Sequence, residues 1–499
     1  MLEPNAKGAC LPEKDLRLQY SGFTIFAAKL LSVATGLVFQ FMVARATSLP
    51  EYDIWFNIND IAAYFTLMAG VLPFWTMRFV ARGKEGAVKT GVVSNLIVSI
   101  IAASVYVPLV PLITSVLGVN GKYVFLYYLM AVQIIETHSI SVFEACLQAR
   151  IPRTIGYGLL IQQACKVALG YALIVWLGQP LLGTIVATMA GFFLQTIYYA
   201  KLLAEELRLR IRWEYVREWL KGSTANAYNL VGNQIANFVF IMLFTNKDAR
   251  GTYGAAFQVV NVITYASFLA FAMYPKLLAE KKHEDIATSL KMVLMFAIPM
   301  TAGAIALSDV YITILKPEYA GAGPVLMVLA IDAFVMVMSG VFSAVLYGME
   351  TLDENSTISF RQLAKSRLLL AFSLPYVHSA ITIPTAFYVL TTYAQNLPFQ
   401  AALYVGIINA SARLAMFIVL LAIVQKMVKI SFPWRAAAKY LFASGCMSAF
   451  LIVIPHVPRI STTLLVTGVG GLIYIAVLAA IDKEVRTLPR TMLNEVRNR

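Results

Sequence analysis

Apolar residues run along the chain in fourteen stretches of about 20 residues, with short polar connections between them. At about 1.5 Å of rise per residue, a helix of about 20 residues crosses a bilayer core about 30 Å thick. The pattern therefore predicts an all-α integral membrane protein with about 14 transmembrane helices. The predicted spans cover residues 22–44, 54–76, 91–117, 123–148, 155–177, 181–204, 222–245, 254–275, 289–314, 323–348, 367–393, 400–424, 435–456 and 461–481.

Basic residues are concentrated in alternate connections between the spans. Of the 40 Lys and Arg residues, 31 lie in the two terminal tails and the even-numbered loops, against six in the odd-numbered loops. Because cytoplasmic loops carry such an excess, we expect a multi-pass protein of the cell (plasma) membrane with both termini in the cytoplasm. The polar first twenty residues contain no apolar segment typical of a cleaved signal peptide, so we expect none to be removed.

The composition excludes several other classes of protein. With 59% apolar and 13% charged residues, the 499-residue chain is unlike a water-soluble domain. We expect the net charge of +14 to face anionic lipid rather than nucleic acid, because no basic run is interleaved with aromatic residues. Neither the four cysteines nor the four histidines have metal-site spacing, and no GxxxxGK[ST] nucleotide motif occurs. We therefore expect no metal, no resident cofactor and no enzymatic activity.

Spans 1 and 2 share a pattern with spans 7 and 8. Tyr52, Phe56, Asn57, Asp60, Ile61 and Tyr64 recur at an offset of 201 residues as Tyr253, Phe257, Gln258, Asn261, Val262 and Tyr265. Lys29, Ser32, Gly36 and Gln40 recur at an offset of 197 as Asn226, Asn229, Asn233 and Asn237. The simpler explanation is that small and polar residues line ordinary helix contacts. A duplication of six spans instead predicts two six-helix lobes around a central cavity, related by a pseudo-twofold axis along the membrane normal.

The predicted organisation has five parts. They are a cytoplasmic N-terminal tail over 1–21, an N-lobe over 22–213, a C-lobe over 214–430, an extra helix pair over 431–482 and a basic cytoplasmic tail over 483–499. The extra pair has no counterpart in the repeat, so we interpret it as an addition to the two lobes.

Apart from those within five residues of a span end, three basic residues lie inside predicted spans, where a charge costs roughly 2.5 to 3.5 kcal/mol on insertion scales. They are Lys29 in span 1, Lys166 in span 5 and Arg413 in span 12. Each is a candidate to contact an anionic cargo in the central cavity. For Lys166 and Arg413 the alternative is pairing with a buried acid, and the stem of Lys29 is long enough to reach the headgroups.

Four acidic residues also lie inside the spans, namely Asp60, Glu136, Glu144 and Asp332. Asp60 shares a helical face with polar neighbours, which makes it the best candidate to couple transport to Na⁺ or H⁺. Glu136 and Glu144 are eight residues apart and roughly on one face, where they either titrate or neutralise the lysines of spans 1 and 5. Asp332 is near enough to a predicted span end to need no special role.

Uncharged amides form a second group of candidates. Four asparagines on one face of span 7 provide hydrogen-bond donors and acceptors that suit sugars or phosphate oxygens. Hydrogen bonding between helices, worth about 0.6 kcal/mol per contact, is the alternative. The full set of predicted cavity residues is Lys29, Gln40, Asn57, Lys166, Asn226, Asn229, Asn233, Asn237, Gln258, Asn261 and Arg413.

Several short motifs, in this order and together with fourteen spans, resemble a known family across nearly the whole chain. They are Ser21-Gly22, Ala44-Arg45-Ala46, Pro50-Glu51-Tyr52, Leu147-Gln148-Ala149 ahead of the span with Lys166, and Ile314-Leu315-Lys316-Pro317-Glu318-Tyr319 before Ala320. The family is the polysaccharide-export branch (Wzx-type lipid-linked oligosaccharide flippases) of the multidrug/oligosaccharidyl-lipid/polysaccharide (MOP) exporter superfamily. Related lipid II flippases carry several cavity arginines, whereas this chain has one lysine in span 1 and amides.

The resemblance implies a flippase that moves a polyprenyl-phosphate- or diphosphate-linked glycan to the outer leaflet by alternating access, for assembly of surface polysaccharide or glycoprotein. Its implied partners are the bilayer, the lipid-linked glycan and possible glycosyltransferases or a polymerase of the same pathway. Spans 13 and 14 would supply a groove for the lipid tail. Two alternatives stay open: a cation-coupled drug or metabolite antiporter of the same superfamily, and a lipid scramblase or structural membrane protein.

Overall fold

The computed structural model describes residues 18–241, 247–280, 284–315, 317–354, 358–395, 397–483 and 485–486, and within them all regular secondary structure is helical. The N-lobe contains α1 (Leu18–Ala46), α2 (Leu49–Thr66), α3 (Val71–Ala81), α4 (Ala87–Val116), α5 (Val124–Arg150), α6 (Arg153–Gly170), α7 (Pro180–Leu202) and the short α8 (Ala204–Leu207). The C-lobe contains α9 (Trp213–Ile241), α10 (Lys247–Thr264), α11 (Met273–Glu280), α12 (Glu284–Ala306), α13 (Ser308–Leu315), α14 (Gly323–Met349), α15 (Phe360–Ala364), α16 (Arg367–Thr392) and α17 (Pro398–Met427). The extra pair is α18 (Trp434–Val453) and α19 (Ile460–Ile481).

Within the residues that the structure describes, each of the fourteen predicted spans coincides with helix, so the predicted fold class is confirmed. Residues 242–245 of the seventh predicted span lie outside the described residues. Twelve helical segments of the described chain are long and apolar enough to cross a membrane. The other two long helices, α5 and α9, carry the two glutamates and the four asparagines that the sequence analysis selected, and these polar residues lower their hydropathy.

The second helix of each lobe is broken in the same way. In the N-lobe a 3-10 turn over Leu67–Gly70 separates α2 from α3, and in the C-lobe a 3-10 turn over Tyr265–Ala270 lies between α10 and α11. A 3-10 turn within a longer helix often marks a hinge or a strained sequence. The shared break supports the interpretation of the two lobes as copies of one six-span unit.

Each lobe is held together by its own helix contacts. In the N-lobe α6 packs against α1 and α7, and α5 packs against α4 and α7. In the C-lobe α14 packs against α10 and α17, and α16 packs against α9. The cores of these contacts are apolar, and water is therefore confined to clefts and cavities between them.

The extra pair packs against α12 of the C-lobe. Helix α18 packs along α12, and the Tyr474 hydroxyl of α19 donates a hydrogen bond to the Met295 carbonyl at 2.6 Å. At one end Lys439 forms an ion pair with Asp482 at 3.2 Å. These contacts make the pair an integral part of the molecule.

Candidate functional site

The two lobes meet at one end of the helices, which we call the basic face. It is the end that carries the connections 82–86, 151–152, 203–212, 350–366 and 428–433, where the sequence concentrates Lys and Arg. The described contacts between the lobes include those of α1 with α12 and with the 3-10 turn of the C-lobe, those of α3 and α4 with α9, and those of α11 with α3 and α5. All of these contacts lie toward the basic face, whereas at the opposite face contacts such as Tyr123 with Glu51 stay within one lobe.

Arg78 of α3 is the centre of the contact between lobes. Its side chain is fully buried, and Nη2 lies 2.6 Å from Oδ1 of Asp353, which is also fully buried and follows α14 in the C-lobe. Arg78 also donates to the Tyr347 carbonyl at 2.6 Å and to the Tyr274 hydroxyl at 3.2 Å. Arg82 approaches the same aspartate at 2.7 Å. Removing one partner from a buried pair of this kind typically costs 3–5 kcal/mol, so the network holds the basic face closed.

The pKa of Asp353 fits this network. Burial by itself opposes ionisation, but the two arginine side chains outweigh burial and hold the pKa of Asp353 below its usual value. The carboxylate is therefore ionised at every pH above its normal range, and the network is intact at neutral pH.

Other contacts at the basic face reinforce the closure. The indole of Trp75 donates a hydrogen bond to the side-chain oxygen of Asn226 at 2.7 Å, and the Gln148 amide donates to the Phe271 carbonyl at 3.0 Å. The predicted cavity residue Asn226 thus lies in the contact between the lobes. Gly222 fits beneath the Trp75 ring, where any side chain would collide with the indole.

Polar side chains on the helices between the lobes are exposed. Asn233 and Asn237 on α9 and Gln258 on α10 are exposed, as is Asp60 on α2. Asn233 donates to the Asn229 carbonyl at 2.9 Å and contacts the Asn229 side chain at 3.2 Å. Asn57 and Asn261 are half-buried, and the Thr264 hydroxyl bonds to the latter. Exposed polar groups within membrane helices are stable where water reaches them, so these side chains favour a hydrated cleft next to α2, α9 and α10.

A separate cavity of about 260 Å³ lies inside the N-lobe. Gln40 and Lys166, both predicted cavity residues, line it together with Asn59, Gln133 and Thr188. Its apolar wall consists of Gly36, Phe39, Trp55, Ile58, Met130, Ile185 and Phe192. The sequence analysis did not select Asn59 or Thr188, because a single polar residue on a helix does not reveal which helices will surround it.

Lys166 is the one charged side chain among the described residues that line this cavity. Its ammonium lies 4.9 Å from the centroid of the Phe39 ring, a cation–π contact worth about 0.5 to 2 kcal/mol. No salt bridge to Lys166 occurs among the described residues, and Glu136, although buried, has one carboxylate oxygen without a hydrogen-bond partner. The alternative of pairing with a buried acid therefore does not apply to Lys166 within the described part of the chain.

Lys29 lies in a different environment. Its ammonium is 5.0 Å from the centroid of the Phe268 ring in the opposite lobe, and it is within electrostatic range of Glu144. Glu144 accepts hydrogen bonds from the Gln195 amide at 3.2 Å and the Tyr199 hydroxyl at 3.3 Å. This arrangement fits one of the two roles that the sequence left open for Glu144, the neutralisation of Lys29, and that role stays a prediction.

Arg413 is paired with a buried acid. Its Nε lies 2.7 Å from Oδ1 of Asp332, which is 3% exposed, and Asn409 donates to the other oxygen at 3.2 Å. The expectation that Asp332 needs no special role is wrong, because it neutralises the one arginine inside the C-lobe helices that the sequence analysis selected. No local pattern signals the pair, since its partners are 81 residues apart. Of the three predicted membrane cations, Lys166 alone keeps its charge uncompensated by any described acid.

Comparison with solved structures identifies the arrangement of helices. A MATE in complex with MaD3S superposes with a TM-score of 0.65 at 14% identity, over 83% of this chain and 96% of that one. A MOP superfamily transporter from Pyrococcus furiosus, described as having a binding pocket of reverse polarity, superposes with a TM-score of 0.61 at 14% identity, over 82% and 96%. The MATE transporter ClbM in complex with Rb⁺ gives 0.59 at 13% identity, over 84% and 97%.

At these identities the likeness shows the fold, which is that of the MATE and other MOP-superfamily transporters. It does not distinguish the branches of that superfamily. No family model and no curated protein matches the sequence.

Proposed function

We propose that this protein is a membrane transporter that works by alternating access, with the cleft between its lobes as the path of the cargo. The observation that carries the proposal is the one-sided closure of the lobes. A buried ion-pair network joins them at the basic face, while polar side chains of α2, α9 and α10 are exposed in the cleft. A second state, closed at the opposite face, would complete the transport cycle.

The distribution of Lys and Arg indicates which side of the membrane the closed face of this state lies on. If the basic face is cytoplasmic, as the excess of Lys and Arg favours, the described state is closed to the cytoplasm and open to the outside. The protein would then be a multi-pass component of the cell membrane with both termini inside.

The cargo that we favour is a lipid-linked oligosaccharide moved to the outer leaflet. Lys166 offers positive charge to a cavity that is otherwise lined by amides, a hydroxyl and apolar groups, and the cleft adds further amides. The pair α18 and α19 lies along α12 and provides an apolar surface for a polyprenyl tail. A diphosphate with about two negative charges gains about 2.3 kcal/mol per charge per 100 mV when it leaves an inside-negative cell, so ion coupling is not required.

The second candidate is a cation-coupled antiporter of the same superfamily. The MATE structures with the same fold favour it, and so do two acids on membrane helices that no described salt bridge neutralises, the exposed Asp60 and the buried Glu136. A cationic drug would, however, meet the repulsion of Lys166 in the N-lobe cavity.

Two assays of the full chain separate these candidates. Cells that lack their own exporter for a lipid-linked glycan should recover surface polysaccharide when this chain is expressed, and accumulate the lipid-linked precursor without it. Drug-sensitive cells that express the chain should gain no resistance to cationic drugs. Drug resistance without glycan export would favour the antiporter over the flippase. Absence of both activities, together with lobes that do not move, would contradict the transport proposal.

A further inference from the structure

The N-lobe cavity is a built site with a chemistry of its own. Five helices line it: α1 contributes Gln40, α2 contributes Asn59, α5 contributes Gln133, α6 contributes Lys166 and α7 contributes Thr188. All five helices belong to the N-lobe, so the lining of the cavity does not depend on contact with the C-lobe. Such a site can hold part of a cargo while the contacts between the lobes change.

The position of the positive charge is fixed by packing. Phe39 is 3% exposed, and Gly170 of α6 lies so close to its ring that a side chain at position 170 would collide with it. The ring in turn supports the Lys166 ammonium at 4.9 Å. An ammonium placed in this way retains hydrogen-bond donors that a carboxylate or phosphate of the cargo can accept.

The remaining lining resembles a sugar site more than a site for a bare ion. The amides of Gln40 and Gln133 carry both donors and acceptors, which match hydroxyl groups. Asn59 and Thr188 donate to the carbonyls of Trp55 at 2.7 Å and Thr184 at 2.8 Å, so their side-chain oxygens contribute mainly as acceptors. Trp55 supplies an aromatic surface for the apolar side of a sugar ring. A small inorganic anion would leave most of these groups without a role.

The volume of the N-lobe cavity restricts its ligand to one sugar unit. Drug-sized ligands occupy pockets of about 300 to 1,000 Å³. This cavity has about 260 Å³, which is below that range but sufficient for a single sugar ring with its acidic group. A longer glycan would have to extend from the cavity into the cleft.

We propose that the N-lobe cavity binds one anionic sugar unit, with Lys166 contacting its carboxylate or phosphate and the amides of Gln40, Asn59 and Gln133 contacting its hydroxyls. The proposal rests on the transport function proposed above and specifies the class of cargo. It makes the cavity a recognition site for an acidic sugar or a sugar phosphate within a larger glycan.

The test is equilibrium binding of small ligands to the purified full chain in lipid nanodiscs, measured by isothermal titration calorimetry. The probes are glucuronate, glucose 1-phosphate, glucose, inorganic phosphate and glucosamine. Glucuronate or glucose 1-phosphate should bind at least about tenfold more tightly than glucose or inorganic phosphate, because the site recognises both the negative charge and the sugar ring. Equal binding of glucose, equal binding of inorganic phosphate, or preference for glucosamine would each overturn the proposal.

Three variants test the role of the lysine. Lys166→Met should reduce the affinity for the anionic sugar to that for glucose, whereas Lys166→Arg should retain the preference. Lys122→Met is the matched control, since it removes one exposed basic residue that does not line the cavity and should leave binding unchanged. Size-exclusion profiles confirm that each variant is folded. If Lys166→Met still prefers the anionic sugar over glucose, the proposed site is contradicted. Movement of the lobes, measured separately, would in that case still support the transport proposal.

Discussion

Individual charged residues in this protein differ in what surrounds them, and this difference decides which of them can meet a cargo. Arg413 is bound to Asp332, Lys29 is close to Glu144, and Lys166 faces a cavity with an aromatic ring as its main support. The ion-paired Arg413 offers little to a ligand, because contact with a new anion must first replace Asp332, whereas Lys29 forms no described salt bridge. Lys166 therefore has the greatest potential for binding an anion.

Variants of Lys29 can distinguish two roles for this residue: contact with the cargo, or neutralisation of Glu144. We expect Lys29→Met to reduce glycan export at least about tenfold, because the cargo loses a countercharge in the cleft. The double variant Lys29→Met with Glu144→Gln should remain equally impaired, since removing the acid does not replace the lost cation. Recovery of export in the double variant would instead mean that Lys29 serves to neutralise Glu144. Export is measured as surface polysaccharide, with protein level in the membrane as the control.

His456 is the residue at which we expect a response to mild changes of pH. It follows α18, and its Nδ1 lies 2.7 Å from the carboxylate of Asp309, a hydrogen bond that raises the pKa of His456 above its usual value. A raised pKa stabilises the fold at pH values below about 6.5, and the contribution disappears as pH rises through the raised value. The melting temperature of the wild type should exceed that of Asp309→Asn at pH 5.5, and the two should converge by pH 9. A difference that is independent of pH would exclude titration of this contact.

At the level of helices, glycine allows elements of the two lobes to approach each other closely at the basic face. Gly22 of α1 lies against the carbonyl of Leu269, so the N-lobe and the C-lobe touch backbone to backbone there. This is how small residues allow membrane helices to pack closely. The 3-10 turn that contains Leu269 is one of the two matching breaks in the lobes, which places the contact at a potential hinge.

We expect Gly22→Val to hold the lobes apart at the basic face, because its side chain would overlap the Leu269 carbonyl. The change should lower export and increase proteolysis of connections at that face. Gly254→Val is the matched control, since a side chain at Gly254 of α10 meets no atom within 4 Å. If both variants behave like the wild type, the contact between α1 and the 3-10 turn does not control closure.

For the molecule as a whole, the balance between open and closed states depends on the network around Asp353. This carboxylate holds Arg78 and Arg82 of the N-lobe at 2.6 and 2.7 Å. Because its pKa is lowered, the network loses strength only as pH falls below the normal range of an aspartate, about 3.9. We therefore expect lobe closure to be independent of pH near neutrality and sensitive to mutation.

Asp353→Asn should destabilise the closed basic face by about 3–5 kcal/mol and shift the population toward the opposite state. The measurement uses a variant whose native cysteines are replaced and in which Asn237 is changed to cysteine. A membrane-impermeant maleimide added outside cells should label this position readily with Asp353 present and more slowly in Asp353→Asn. Asp285→Asn is the control, because Asp285 pairs with Lys276 within the C-lobe and joins no lobes. Unchanged labelling in Asp353→Asn would remove the network from the transport cycle.

The sequence by itself determined the features that depend on local composition. Apolar length predicted fourteen spans, and over the described residues each coincides with helix, because a helix that crosses a bilayer of fixed thickness needs a fixed apolar length. The alternating Lys and Arg predicted their direction. The rare polar residues within spans also identified Lys166 and Gln40, which line the N-lobe cavity. Only the tertiary structure decided which charges are compensated. Arg413 meets Asp332 across 81 residues and Arg78 meets Asp353 across 275. The energy of a charge depends on the distance to its partner, and packing between helices far apart in the chain sets that distance.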